Sequence, residues 1–444
     1  MTTVAPSLQQ PVLVRLRGGH GGIWLASLLF FLMLFVPAAY QPIKAALLAA
    51  VLGTITIQAL YRGRLTLHRA IVLWTLLSIA TGLFFLLRGV ARGQPGAVEV
   101  GRVYALWPFV YMILIAGIAA TPGALPSIVR VLVVATIAIG AYGASYIAHF
   151  IGWLPDALYL PLEQNQRIGL YGGWVEFNID SLASLLFLIP FVVSALMTWP
   201  KAQALVSRRW LWIALFMGVA LAALSARRAL LLVVGLSPLL TLAVRQLLPK
   251  AEKRDSRPLV LHFLVIGGVA LFGLAVTLHF LFGLRFGPVA DMFTRGFEFG
   301  SYVRGVERRD QFFNLLNGWL KVPILGSGHG GVAPGWARSQ EQPWAYELSY
   351  FALLFHTGLV GFLIYATGVG WIIIKSLRIV REGQRLGLCM LSVLVGTVSF
   401  LIANGADPYL EKYDYMWVIF LPVAIINLWL CTREPLPVGH APGP

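Results

Sequence analysis

An all-α, polytopic transmembrane helix bundle of about 12 spans is the architecture that this chain predicts. Three observations predict it. Apolar runs of about 18 to 25 residues recur from one end to the other, each long enough to cross a hydrocarbon core of roughly 30 Å. Only 12% of the 444 residues are charged, and the mean hydropathy is +0.79. The alternating pattern of a β-barrel is absent, so the backbone groups held in lipid are expected to pair within helices.

In chain order the expected spans are 22–39, 43–60, 70–87, 103–120, 128–150, 179–199, 210–224, 229–248, 259–282, 348–374, 387–404 and 415–431. A polar, slightly basic segment precedes the first, and no small-residue cleavage site follows it, so it reads as an uncleaved helix and not a signal peptide. Ser225-Ala226-Arg227-Arg228 alone separates the short seventh span from the eighth. No internal repeat is evident, which argues against an inverted-repeat transporter. Three regions follow: 1–282 with spans one to nine and short loops, 283–347 as a polar loop with an amphipathic helix, and 348–444 with spans ten to twelve and a tail.

Lysine and arginine assign the sides. An even span number puts both ends on one side. Placing them in the cytoplasm sends most basic residues there, among them Arg62, Arg208, Arg209, Lys250, Lys253 and Arg381. The long 283–347 loop is external and exempt from the rule. A net charge of +16 would suggest nucleic acid in a soluble protein, but basic loops that set topology and meet anionic headgroups account for it here. The expected partner is therefore the lipid bilayer and not nucleic acid. Cys389 and Cys431 fall near cytoplasmic helix ends, where a disulfide is not expected, and two lone thiols are a poor metal site.

Three external features carry chemistry. The first is Arg227-Arg228, where one helix ends and the next begins. Arginines at a span end can simply snorkel to the interface. A tight hairpin beside outward N–H groups can also seat a phosphate. The second is a helix expected over Ser301–Lys321, with Phe312, Leu315, Leu316 and Trp319 on one face and Arg304 and Arg308 one turn apart on another. Arg309 points elsewhere and has Glu307 and Asp310 as neighbours. This helix reads either as one lying on the bilayer with a solvated basic face or as part of an anion site. The glycines after Pro323, including Gly328 beside His329, form a compact turn. The third feature is Tyr346-Glu347 at the mouth of the tenth span. Glu347 can cap the helix, pair with an arginine, or act as a general base. His329 is a rival base or a ligand contact, and His356 reads as buried and structural.

These residues resemble the O-antigen ligase and O-antigen polymerase superfamily. Ala226-Arg227-Arg228-Ala229-Leu230 matches that family's motif between two central spans. Arg308 precedes Pro323-Ile324-Leu325-Gly326-Ser327-Gly328-His329-Gly330 by fifteen residues, as a loop arginine does in the family. Glu347-Leu348-Ser349-Tyr350-Phe351 leads to Gly358-Leu359-Val360-Gly361, and Asn404–Leu410 matches the final external turn. The likeness covers about 220–430; the N-terminal half matches in topology only.

The resemblance implies a GT-C-like architecture in a bacterial inner membrane, with a periplasmic active face and no cofactor or metal. It implies a glycosyltransferase that moves a glycan, with inversion, from an undecaprenyl-diphosphate-linked donor to a sugar hydroxyl. Arg227, Arg308, Arg304 and Arg228 would hold the diphosphate, and Glu347 would take the hydroxyl proton. His329, Gly328 and Tyr346 are expected as acceptor or loop contacts. Ligases of the family carry a histidine where this chain has Glu347, which favours a repeat-unit polymerase over a ligase. A lipid-linked glycan translocator is the alternative from another class. A lipid-linked oligosaccharide is the expected substrate, and a chain-length regulator is a candidate partner.

Overall fold

The computed structural model describes residues 20–63, 65–163, 166–171, 174–225, 227–282, 303–335, 337 and 339–433. Helix dominates. The helices are α1 (His20–Phe35), α2 (Gln41–Arg62), α3 (Arg69–Ala91), α4 (Ala97–Ala120), α5 (Ala124–Phe150), α6 (Leu182–Thr198), α7 (Arg208–Ser225), α8 (Arg228–Arg245), α9 (Lys250–Phe282), α10 (Val303–Lys321), α11 (Ser349–Glu382), α12 (Gln384–Asn404) and α13 (Trp417–Arg433). A helix thus runs through each apolar segment expected to span. Among the described residues nine helical segments are long and apolar enough to cross a membrane; α1 and α6, at 16 and 17 residues, are shorter. The chain is therefore an all-α, multi-pass membrane protein by its architecture.

The core sits around α6. Every one of its residues is buried, which suits a sequence with no charge from Leu182 to Thr198. It packs against α8 and α12, and Phe187 and Trp417 bring in α13 with ring centroids 4.8 Å apart. Helices α2, α3 and α8 turn most of their apolar surface outward, as expected for contact with lipid tails.

Loop contacts sort the helix ends into two faces. On one face Lys44 pairs with Asp414 at 2.9 Å, the Tyr415 hydroxyl donates to the Asp180 carbonyl at 3.1 Å, and Arg88 donates to the Gly326 carbonyl at 3.1 Å. On the other, Arg62 donates to the Ala120 carbonyl at 3.0 Å, Asn427 to the Thr66 carbonyl at 3.0 Å, and Trp199 to the Leu388 carbonyl at 3.1 Å. All three chemical features of the sequence lie on the first face.

Two elements depart from expectation. An antiparallel hairpin, β1 (Arg167–Tyr171) with β2 (Trp174–Asn178), stands in the segment between α5 and α6, in the register Arg167↔Asn178 to Tyr171↔Trp174. The two runs flank Gly172-Gly173, a two-residue hairpin signal that long apolar runs elsewhere overshadow.

The second departure is the glycine string. The compact turn expected there is a buried wedge from Gly326 to Gly331. Gly358 (φ +62°, ψ −169°) breaks α11, which frees helical N–H and carbonyl groups that need partners. The wedge supplies them. Ser327 N donates to the Phe355 carbonyl at 2.9 Å and Gly328 N to the His356 carbonyl at 2.8 Å. Leu359 N and Val360 N donate to the Pro323 and Ile324 carbonyls at 2.9 and 3.1 Å. Its other side meets α3 and α4: His329 N donates to the Phe85 carbonyl at 3.0 Å, and Gly96 N to the Gly330 carbonyl at 3.3 Å. Gly328 (φ +92°) and Gly330 (φ +69°) touch the backbones of Gly89 and Gly96, an approach that only glycine permits.

Candidate active site: an arginine–carboxylate cluster

Arg227 is the N-cap of α8, in extended backbone, so its side chain leaves the helix start sideways. Its guanidinium donates to the Asn178 side-chain carbonyl at the end of β2. Arg308 projects from α10. Its Nε donates to Glu347 Oε2 at 2.7 Å, and its Nη2 reaches the Ala406 carbonyl at 3.5 Å. Glu347 therefore pairs with an arginine, one of the expected alternatives.

The apolar face of α10 packs against α11 and does not lie flat on a bilayer. Leu315 is buried with Tyr346, Ala352 and Phe355, and the Phe312 and Phe351 rings meet edge to face at 4.7 Å. Gln311, buried on the same helix, accepts from Glu347 N at 3.1 Å and Leu348 N at 2.8 Å. The backbone of Glu347 is thus set by the helix that carries Arg308.

Asp407 joins the two arginines. It lies between α12 and α13, close enough to Arg227, Arg308 and Glu347 for all three to act on its charge. Burial pushes its carboxyl above the usual carboxylate value, Arg227 and Arg308 pull it back, and Glu347 raises it. Tyr409 donates to Asp407 at 3.1 Å. Its hydroxyl is raised by burial and by Asp407 and lowered by Arg227, with which it shares a hydrogen bond. Asn404 ties this turn to α11: its side chain donates to Ser349 Oγ at 3.0 Å and accepts from Leu410 N at 2.9 Å.

The structure thus brings Arg227, Arg308 and Glu347 together. Arg228 sits at the start of α8 with an exposed side chain. Arg304 lies in the first turn of α10, and its side chain falls outside the described residues, as do Trp336 and Arg338. Arg309 is exposed and approaches Asp310 at 3.7 Å.

The loop residues are placed otherwise. His329 is fully buried, stacked on Tyr104 with ring centroids 4.9 Å apart, and neither ring nitrogen has a hydrogen-bond partner among the described residues. Burial first, and His356 second, lower its pKa to about 3. Gly328 is locked in the wedge. Tyr346 is fully buried: its hydroxyl accepts from Ala333 N at 2.6 Å and donates to the Gly331 carbonyl at 3.1 Å. In this conformation a sugar cannot reach these three residues. His356 is buried, as expected, with Nε2 3.1 Å from the Gly331 carbonyl. Trp344 lies against Gly96.

Asn178, Gln311, Asp407 and Tyr409 were not singled out by the sequence reading as site residues. Asp407 and Tyr409 fell inside a motif already noted, and Asn178 follows from the hairpin signal. Gln311 had no signal beyond its place one turn from Arg308. Among the described residues no group of three or more His, Cys, Asp or Glu side chains gathers as a metal site, and both cysteines are free thiols.

Chemically, the cluster offers two guanidinium groups from separate helices beside two carboxylates, with the Arg308 side chain 43% exposed and thus within reach of solvent. Such a site can hold a multiply charged anion and accept a proton next to it. No protein-family model matches this chain, and no curated protein matches it, so the likeness to O-antigen enzymes rests on the motifs alone.

Proposed function

We propose that the chain is a polysaccharide repeat-unit polymerase of the O-antigen polymerase and ligase kind. In this reading it spans a bacterial inner membrane twelve times, with both ends in the cytoplasm and the arginine–carboxylate face in the periplasm. The observation that supports it is the meeting of Arg227 and Arg308, from separate helices, around Asp407 and Glu347. Two fixed cations suit a diphosphate leaving group better than a single snorkelling arginine does.

The proposed reaction is a single displacement. The acceptor hydroxyl oxygen attacks the anomeric carbon of the donor sugar. The bond from that carbon to the diphosphate oxygen breaks, and its electron pair leaves with the polyprenyl diphosphate. The hydroxyl proton passes to the Glu347 carboxylate. Arg227 and Arg308 stabilise the charge that grows on the leaving group, a contribution of about 10² to 10³ in rate for one such donor. Attack opposite the diphosphate inverts the anomeric centre.

The test is a membrane reconstitution given one lipid-linked repeat unit and no other acceptor. A ladder of products supports a polymerase. Product only after a second acceptor is added supports a ligase. Movement of intact lipid-linked glycan across the bilayer without bond formation supports a translocator. Arg227→Ala and Arg308→Ala should abolish the ladder while the protein still accumulates in the membrane. Normal chain lengths in both variants would sink the reading.

A further inference from the structure

Away from the cluster, a cavity of about 140 Å³ lies between α1, α2, α4, α5 and α13. Its inner wall is apolar, formed by Leu29, Phe30, Met33, Ile115 and Leu421 among others. An apolar space of this size takes apolar guests; an enclosed one of roughly 150 Å³ holds a benzene ring. The cavity also has a polar end. Thr54, Gln58 and Ser127 lie there, near the end of α2 and the start of α5.

A second, smaller hollow continues from that end and shares Ile55, Gln58 and Gly117 with the first. It runs to Arg62, whose side chain is exposed and anchored to the Ala120 carbonyl at 3.0 Å. Arg69, exposed at the start of α3, lies on the same face. The two hollows thus lie side by side as a track, greasy at its inner end and flanked by Arg62 beside its polar end.

We infer that this track binds an anionic glycerophospholipid, with one acyl chain between α1, α4 and α13 and the phosphate at Arg62. Polarity and charge run in the order of such a lipid. The chain is longer than the cavity, so its remainder continues into the surrounding bilayer. This site is separate from the arginine–carboxylate cluster, and its existence does not depend on the reaction proposed there.

Native mass spectrometry of the full-length protein in detergent, given phosphatidylglycerol or phosphatidylcholine, tests the inference. The wild-type protein should retain one phosphatidylglycerol in preference to phosphatidylcholine. Arg62→Gln should reduce that preference about fivefold, the factor that matches ~1 kcal/mol for one cation at a membrane surface. Ala26→Phe should fill the cavity and lower retention of both lipids. Ile118→Trp does the same from α4 and serves if the first variant fails to fold. Unchanged retention in a folded, filled variant would overturn the inference, as would equal retention of the two lipids by the wild type. Displacement of the bound phospholipid by equimolar polyprenyl phosphate would assign the track to an isoprenoid and also overturn it.

Discussion

Arg308 Nε and Glu347 Oε2 stand 2.7 Å apart, joined across 39 residues of sequence, and Gln311 on the same helix as Arg308 holds the backbone of Glu347. The cation and the carboxylate are therefore placed as a unit.

Glu347→Gln separates the two roles this unit could have. The Arg308 side chain is 43% exposed, so solvent screening limits the pair to ~1 kcal/mol of stability or less. Glu347→Gln should leave thermal melting in detergent nearly unchanged and lower polymer formation about 10² to 10⁴-fold. Full activity in this variant would remove Glu347 as the proton acceptor and leave Asp407→Asn as the next variant to assay.

Arginine 227 should resist conservative exchange. Its guanidinium already serves Asn178 and Tyr409, and lysine cannot reproduce that fork. Arg227→Lys should recover only part of the activity lost in Arg227→Ala. The double variant Arg227→Ala/Arg308→Ala should lose less than the product of the two single losses, because in the proposed reaction both cations act on one leaving group. Initial rates of ladder formation measure this directly.

The wedge predicts a sharp contrast between two glycines. Gly330 has φ +69°, and an added Cβ would lie 1.9 Å from the Gly96 backbone. Gly335 has φ +79°, but its nearest neighbour, Asn314 Oδ1, would be 3.6 Å away. Gly335→Ala should cost about 1–2 kcal/mol, the ordinary left-handed penalty. Gly330→Ala adds overpacking of about 1–3 kcal/mol or more and should melt well below it. Equal melting temperatures would contradict the wedge.

Glu163 sets a pH dependence. Its side chain is buried and accepts from Asp180 N at 2.7 Å and Ser181 N at 3.2 Å, at the start of α6. Burial is the larger effect and raises its pKa from 4.5 to about 7. The folded state thus holds a proton that the unfolded chain has lost, so this group's contribution is full below about 4.5 and fades as pH rises to about 7. Melting temperature should fall across that window. Glu163→Gln should flatten the fall, and a profile identical to wild type would refute the assignment.

Much of the fold was legible because lipid imposes one rule on every span: backbone pairs within the helix, and side chains are apolar. The apolar runs hold helices for that reason, nine of them, among the described residues, long and apolar enough to cross a membrane. The edges were less legible. Helix α9 begins at Lys250, well before its apolar run, because a basic, polar turn can continue a helix beyond the hydrocarbon. The hairpin was missed since its strands are five residues each and their pattern is local. At the site, Arg227, Arg308 and Glu347 were readable as charges out of place among greasy helices. His329 and Gly328 were readable only as a turn, since their burial depends on α3 and α4, which meet the wedge from more than 200 residues away in the chain, and the burial of Tyr346 depends on α10, which packs over it. Arg88 and Arg92, which donate to the Gly326 carbonyl at 3.1 and 3.2 Å, carried no motif at all.

The interruption at Gly358 has a mechanical outcome. A continuous α11 could slide or rotate along its own axis with little resistance from its neighbours. The broken one is stitched, by four backbone hydrogen bonds, to a strip of chain that is itself clamped to α3 and α4. The outer end of α11, which presents Glu347, is therefore moored to the first half of the protein. Any displacement of the wedge is therefore shared between α3 and the helix beside the carboxylate, and the N-terminal helices act as ballast for the C-terminal ones.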